Sequence, residues 1–171
     1  MSTAVASSAA PRTLDPERLG EHLDRLYRAA LGLCGSHADA EDLEQETCLQ
    51  VLRRPRRLHS DEDLGYLLSV LRNACYSRYR AEARRPQVHD LAEHEEIPEP
   101  RPMSEPQAVA EAREVIAAVS ALPAPYREAV AAVDLAGLSY REAARAVGTR
   151  EGTIMSRLFR GRALAARSLC K

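Results

Sequence analysis

The residues best suited to chemistry in this chain are its arginines, and their spacing points to nucleic-acid backbone and base edges rather than to catalysis. Between Arg53 and Arg85 lie nine arginines against four acids; between Arg141 and Lys171 lie eight basic residues against two acids. The stretch from Pro86 to Glu111 carries seven acids and only Arg101. A net charge of -1 therefore hides two basic blocks around an acidic spacer. Planar guanidinium groups suit bidentate contacts to phosphate and guanine. Lys171 is the only lysine, a bias that a GC-rich genome would also produce.

Other chemistries are poorly served. There is no glycine-rich phosphate loop, no G-x-S-x-G and no ligand spacing for zinc, so no catalytic residue, metal or cofactor is expected. Cys34, Cys48, Cys75 and Cys170 are not paired as C-x-x-C and suit a reduced cytoplasmic protein. The Ser/Ala-rich start lacks the basic and apolar regions of a signal peptide, and no apolar run is long enough for membrane insertion.

The elements that position the arginines are helices. Hydrophobic residues make up 45% of the chain but aromatics only 4%, which favours cores of Leu, Val and Ala packed helix on helix. Leu19, Leu23, Leu26, Tyr27, Ala30 and Leu31 recur at helical spacing, with Gly32 and Gly35 as breakers. Ser36 or Asp39 caps a second helix with Leu43, Thr47, Val51 and Leu52 on its inner stripe, stopped by Pro55. Leu64, Leu67, Leu68, Leu71, Cys75 and Tyr79 mark a long third helix, with no strand signal anywhere in this half.

The expected organisation is all-α, with two small helical domains joined by a flexible linker. Residues 1–17 form a disordered tail, 18–85 the first domain, 86–106 an acidic, Pro-rich linker and 107–171 the second domain. In the second, Val109, Ala112, Val115, Ile116 and Val119 form one helix and Tyr126, Ala129, Val130 and Val133 the next, ended by Gly137. Ser139 and Glu142 then spell a capping box, Gly148 a helix stop, and Ala144, Gly148 and Ile154 carry the spacing of a helix-turn-helix. The last helix turns Thr153, Ser156, Arg157 and Arg160 away from its apolar stripe, where a major groove would meet them.

Two stretches carry a resemblance. Leu122 to Leu164, with Gly137, Leu138, Ser139, Tyr140, Glu142, Ala143 and Ala144 followed by Gly152, Thr153, Ile154, Ser156 and Arg157, closely resembles region 4 of extracytoplasmic-function (ECF) sigma factors of bacterial RNA polymerase. Asp39 to Leu52, with Asp39, Ala40, Glu41, Asp42, Leu43, Gln45, Glu46 and Thr47, resembles the polymerase-binding helix of region 2. Met155 stands where the family often has a basic residue. Glu44 and Cys48 replace apolar residues, Ser77 replaces an Asp, and the family's Trp is absent, with Tyr66 nearest to it.

The resemblance implies a non-enzymatic, cytoplasmic factor that binds core polymerase and directs initiation at particular promoters. Asp39, Asp42, Leu43, Gln45 and Glu46 would contact the β′ clamp helices, and the second domain the β flap. Arg56, Arg57, Arg72, Asn73, Ser77, Arg80 and Arg84 would recognise and melt the −10 element, with His59 in the loop that receives a flipped base. Arg150, Thr153, Ser156, Arg157 and Arg160 would read the −35 element. An anti-sigma factor is a further candidate partner. The alternative is a helix-turn-helix regulator acting without core polymerase, which leaves the Asp39–Thr47 pattern unexplained.

Overall fold

The computed structural model describes residues 12–58, 63–84 and 106–170. The first eleven residues, His59, Arg85 and nearly all of the expected linker lie outside them.

Within the described residues the chain is all-α apart from one short antiparallel pair, β1 (Arg12–Thr13) with β2 (Arg57–Leu58). The helices run α1 (Pro16–Leu19), α2 (Leu23–Cys34), α3 (His37–Arg53), α4 (Asp63–Arg84), α5 (Pro106–Ser120), α6 (Ala124–Val130), α7 (Tyr140–Val147) and α8 (Glu151–Leu169). A 3-10 turn at Gly20–His22 leads into α2, and a π-turn at Ala131–Leu135 extends α6.

The first unit packs α2, α3 and α4 around Leu26, Leu43, Leu67 and Leu71, all fully buried. Thr47 is polar but also fully buried; its hydroxyl is satisfied by the Leu43 carbonyl one turn back, at 2.7 Å. Ser36 caps α3, its Oγ accepting from the Asp39 amide. Gly35 ends α2 in the left-handed region, φ 76°. Gly32, expected as a breaker, instead stays helical and buried, and Leu52, expected inside, is 48% exposed.

Residues 12–17, expected to belong to a disordered tail, are folded. Leu14 and Leu19 are buried, each burial favourable by roughly 1.5–3 kcal/mol. Asp15 caps α1 by accepting from the Glu17 amide at 3.0 Å. Arg18 lies 3.4 Å from the buried carboxylate of Asp63 at the start of α4. Periodicity could not reveal this, because the segment is too short for a period and is held by residues about 45 positions away in the chain.

The two units are in direct contact, and their buried apolar side chains form one contiguous cluster. On the seam, Gly32 of α2 faces Leu135, Val119 and Ala131 so closely that a Cβ there would lie 2.3 Å from the Leu135 Cδ1. Arg25 of α2 donates to the carbonyls of Ala136 (2.6 Å) and Gly137 (2.7 Å), placing a cation where a helix end leaves unpaired carbonyls. From α4, Arg72 and Tyr76 reach Glu128 of α6.

Candidate nucleic-acid interface

The helix-turn-helix is built as its sequence signals require. The Ser139 Oγ accepts from the Glu142 amide at 3.3 Å, and the Glu142 carboxylate accepts from the Ser139 amide at 2.8 Å. The Ser139 hydroxyl donates to the Glu142 carboxylate at 2.5 Å, and this bond, with that from the Ser139 amide, holds the Glu142 carboxyl below its ordinary range. Gly148 takes φ 74°, and the Thr149 amide donates to the Ala144 carbonyl at 2.8 Å, closing the turn. Ile154 and Leu158 are buried and seat α8 against the rest of the unit. Gly161 allows the closest approach: a Cβ there would lie 2.9 Å from Val130 and 3.3 Å from the Tyr126 carbonyl. Arg162 forks onto Asp134 at 2.6 and 3.0 Å, fixing the rotation of α8 about its axis.

With that rotation set, Arg150, Ser156 and Arg160 are exposed and Thr153 and Arg157 half-exposed, along one side of α8. Their offsets of three, six, seven and ten residues keep them on one face. The Ser156 hydroxyl donates to the Thr153 carbonyl at 3.0 Å, leaving its lone pairs free to accept. Met155 (52% exposed) and Phe159 (77% exposed) lie beside this face. Phe159 is the only phenylalanine of the chain; the sequence reading gave it no role, and its exposure is the signal that singles it out.

On α4, Asn73, Ser77, Arg80 and Arg84 form an exposed strip at offsets of four, seven and eleven. The Ser77 hydroxyl is bonded back to the Asn73 carbonyl at 3.0 Å. Arg72 departs from the expected set. It faces the second unit, with its Nε 2.9 Å from the Glu128 carboxylate. The Nε–H is off the hydrogen-bonding line, so the contact is chiefly ionic. Its guanidinium also lies 5.0 Å over the Tyr76 ring.

Beside the strip, an open cleft of about 710 Å³ is lined by Gln50, Arg53, Arg54, Arg56, Tyr66 and Val70 among others. Arg56 was expected here; Arg53, Arg54 and Tyr66 were not, and only packing brings Tyr66 of α4 to the arginines at the end of α3. Arg57 contributes the backbone of β2.

The face of α3 turned to solvent carries Asp42, Gln45 and Glu46, as expected, together with Leu49 and Leu52, each about half exposed. Leu43 and Asp39 stand apart from this face. Leu43 is fully buried and cannot reach a partner. Asp39 is half-exposed and bonded by Arg78 of α4 at 2.8 Å, so it links α3 to α4. Glu44 is half-buried, and burial, reinforced by Glu41 and Asp24, pushes its carboxyl pKa up. No group of metal-ligating side chains occurs among the described residues, and no helix among them is long and apolar enough to cross a membrane.

Comparison with known proteins agrees with this geometry. Residues 19–85 match Sigma-70 region 2, and residues 112–164 match Sigma-70 region 4. The chain is 33% identical over 162 residues to the ECF RNA polymerase sigma factor SigE of Mycolicibacterium smegmatis; the match covers 93% of the chain and 62% of that relative's length. Among solved structures, it resembles the sigma factor RpoE of Bartonella quintana, solved with the anti-sigma factor NepR (TM-score 0.71, 28% identity, 90% of this chain and 94% of that one). It shares the fold of CnrH, solved with the cytosolic domain of CnrY (TM-score 0.56, 20% identity, 90% and 83% covered). With regions 2 and 4 matched in order and the helix-turn-helix formed in the second, the chain belongs to the sigma-70 family, among its ECF members.

Proposed function

We propose that this chain is a promoter-specificity factor without catalytic activity of its own, working in the cytoplasm with core RNA polymerase. The observation that carries this reading is the division of labour between two surfaces. Region 4 displays Arg150, Thr153, Ser156, Arg157 and Arg160 on one side of a rigidly seated α8, while region 2 displays an acidic face with two exposed leucines on α3. The first suits a DNA major groove; the second repels DNA and suits a basic protein surface.

In this scheme α8 enters the major groove of the −35 element. Arg157 contacts a base edge and Arg160, one turn on, grips phosphate. The strip Asn73, Ser77, Arg80 and Arg84 acts on the −10 element as it opens, and the cleft of Arg53, Arg54, Arg56 and Tyr66 takes an unstacked base on an aromatic and cationic lining. Asp42, Gln45 and Glu46, with Leu49 and Leu52, bind the β′ clamp helices. The Arg72–Glu128 contact holds region 2 to region 4, so engagement of both promoter elements requires the units to separate. A protein that grips both units in the closed form would act as an anti-sigma factor, as NepR is named for its sigma partner.

The test is reconstituted transcription with core polymerase on one promoter. Arg157→Ala should abolish discrimination against a scrambled −35 element, a loss of roughly 1–3 kcal/mol, while core binding survives. Asn73→Ala should keep −35 binding and depress permanganate-detected melting. Normal melting by Asn73→Ala, or retained −35 discrimination by Arg157→Ala, refutes the assignment. Promoter binding that needs no polymerase would favour a free-standing regulator.

A further inference from the structure

The cleft of Arg53, Arg54, Arg56 and Tyr66 takes its lining from separate elements. Arg53 is the last residue of α3, and Arg54 has left helical geometry, at φ −131° and ψ 71°. Arg56 lies beyond the helix, next to β2, and all three arginines are exposed. Tyr66 belongs to α4, three residues after its start at Asp63. Chain beyond the end of α3 draws no rigidity from that helix, so another element must hold Arg56 in register with Tyr66.

The segment ahead of α2 reaches both sides of the cleft. β1 pairs antiparallel with β2, Arg12 against Leu58 and Thr13 against Arg57, and is the only strand partner of β2 among the described residues. A strand pair this short is not stable alone. Here it is anchored by Leu14, next to β1, and by Leu58, both buried in the same apolar cluster as Leu64 of α4. α1 follows at once: the Arg18 and Leu19 amides donate to the Asp15 carbonyl at 3.1 and 3.2 Å. That turn sets the Arg18 guanidinium 3.4 Å from Asp63, whose side chain is 1% exposed. A carboxylate at that depth favours a cation beside it. One short segment thus ties the strand next to Arg56 and the first turn of the helix that carries Tyr66.

We propose that residues 12–19 are a brace for −10 recognition: by holding Arg56 and Tyr66 in register, they set which unstacked base the cleft accepts. The inference rests on the reading of that cleft as a base-binding site. The brace acts through the β1–β2 pairing and the Arg18–Asp63 contact, and its residues are positioning residues that need no DNA contact of their own. Its loss lets the cleft accept other bases. It leaves α8 unaffected, since that helix is seated by Ile154, Leu158 and the Arg162–Asp134 fork.

The experiment uses the full chain with core polymerase on one promoter, with each non-template base of the −10 element replaced in turn and melting as the readout. Tyr66→Ala should erase the preference at one position, which marks the base taken by the cleft. Arg12→Pro with Thr13→Pro removes the backbone donors of β1 and should lower the preference at that same position several-fold, with −35 discrimination and core affinity unchanged. Arg12→Ala with Thr13→Ala keeps those donors and should behave as the parent. Arg18→Ala should lose part of the preference, and Arg18→Lys should regain it. Parental preference in the double-proline chain, with amide exchange across β2 showing the pairing broken, overturns the brace while the cleft stands. An equal loss in the double-alanine chain also overturns it, placing the effect in side-chain contacts, as does a matching loss of −35 discrimination, which marks general unfolding. If Tyr66→Ala leaves every preference intact, the base-binding reading of the cleft falls, and the brace with it.

Discussion

Glu128→Ala is the sharpest probe of the seam. The Glu128 side chain is 6% exposed and faces Arg72 and Tyr76 of the other unit. Removing one partner of a buried charged pair commonly costs ~3–5 kcal/mol. Here the loss is smaller, because the Arg72 side chain is already 28% exposed and recovers water when the units part. About 2–3 kcal/mol is then lost from the closed state, roughly a 30- to 150-fold shift of the closed-to-open ratio. Small-angle scattering should register a larger radius of gyration, and amide exchange around Gly32 and Ala131 should accelerate by a similar factor. Arg72→Ala should act in the same direction, and the double variant should fall short of the sum, since both lesions break one contact. Glu128→Gln, which keeps an acceptor for Tyr76, should open the seam less. Unchanged scattering and unchanged exchange in Glu128→Ala would refute the reasoning.

Further outcomes follow from individual contacts. Ser139→Ala should destabilise region 4 by about 1 kcal/mol in thermal unfolding. The Glu142 carboxyl is depressed in the folded state, so its contribution is present above the ordinary pKa of 4.5 and lost as pH falls through the folded value. The Ser139→Ala defect should therefore shrink in acid. Glu44 has the opposite sign: its raised pKa makes the charged form a liability at neutral pH that protonation relieves. Glu44→Met should raise Tm by a few degrees at pH 7, about 1 kcal/mol, with less gain at pH 4. Charge reversal at Asp42 and Glu46, both exposed, should weaken core-polymerase binding by about 1 kcal/mol each in a salt-sensitive way, while unfolding stays unchanged. Equal affinity for core polymerase would remove α3 from that interface.

Local patterns carried a large part of the molecule. Ser139, Glu142, Ala144, Gly148 and Ile154 announced the helix-turn-helix because capping, turn and packing there all act within about fifteen residues. The α4 residues Asn73, Ser77, Arg80 and Arg84 were named by the family resemblance, and the structure places them in one exposed strip. Arg72, named with them, does not join it, since one turn of helix offers neighbouring faces and the choice between DNA and Glu128 depends on a residue 56 positions later. Leu43 was assigned both to a core stripe and to a partner surface; only its full burial decides between them.

The sequence by itself determined the helices, their caps, the two basic blocks and the order of the two regions, because each follows from short-range hydrogen bonding, periodicity and charge. The tertiary structure alone decided which side chains share a surface. It gathered Arg53, Arg54, Arg56 and Tyr66 into one cleft and anchored residues 12–19 through Asp63 and β2. It also set Glu128 against Arg72 and Arg25 against the carbonyls of Ala136 and Gly137. Those pairings are fixed by how the helices cross, which depends on side-chain volumes such as the missing one at Gly32 and leaves no periodic trace in the chain.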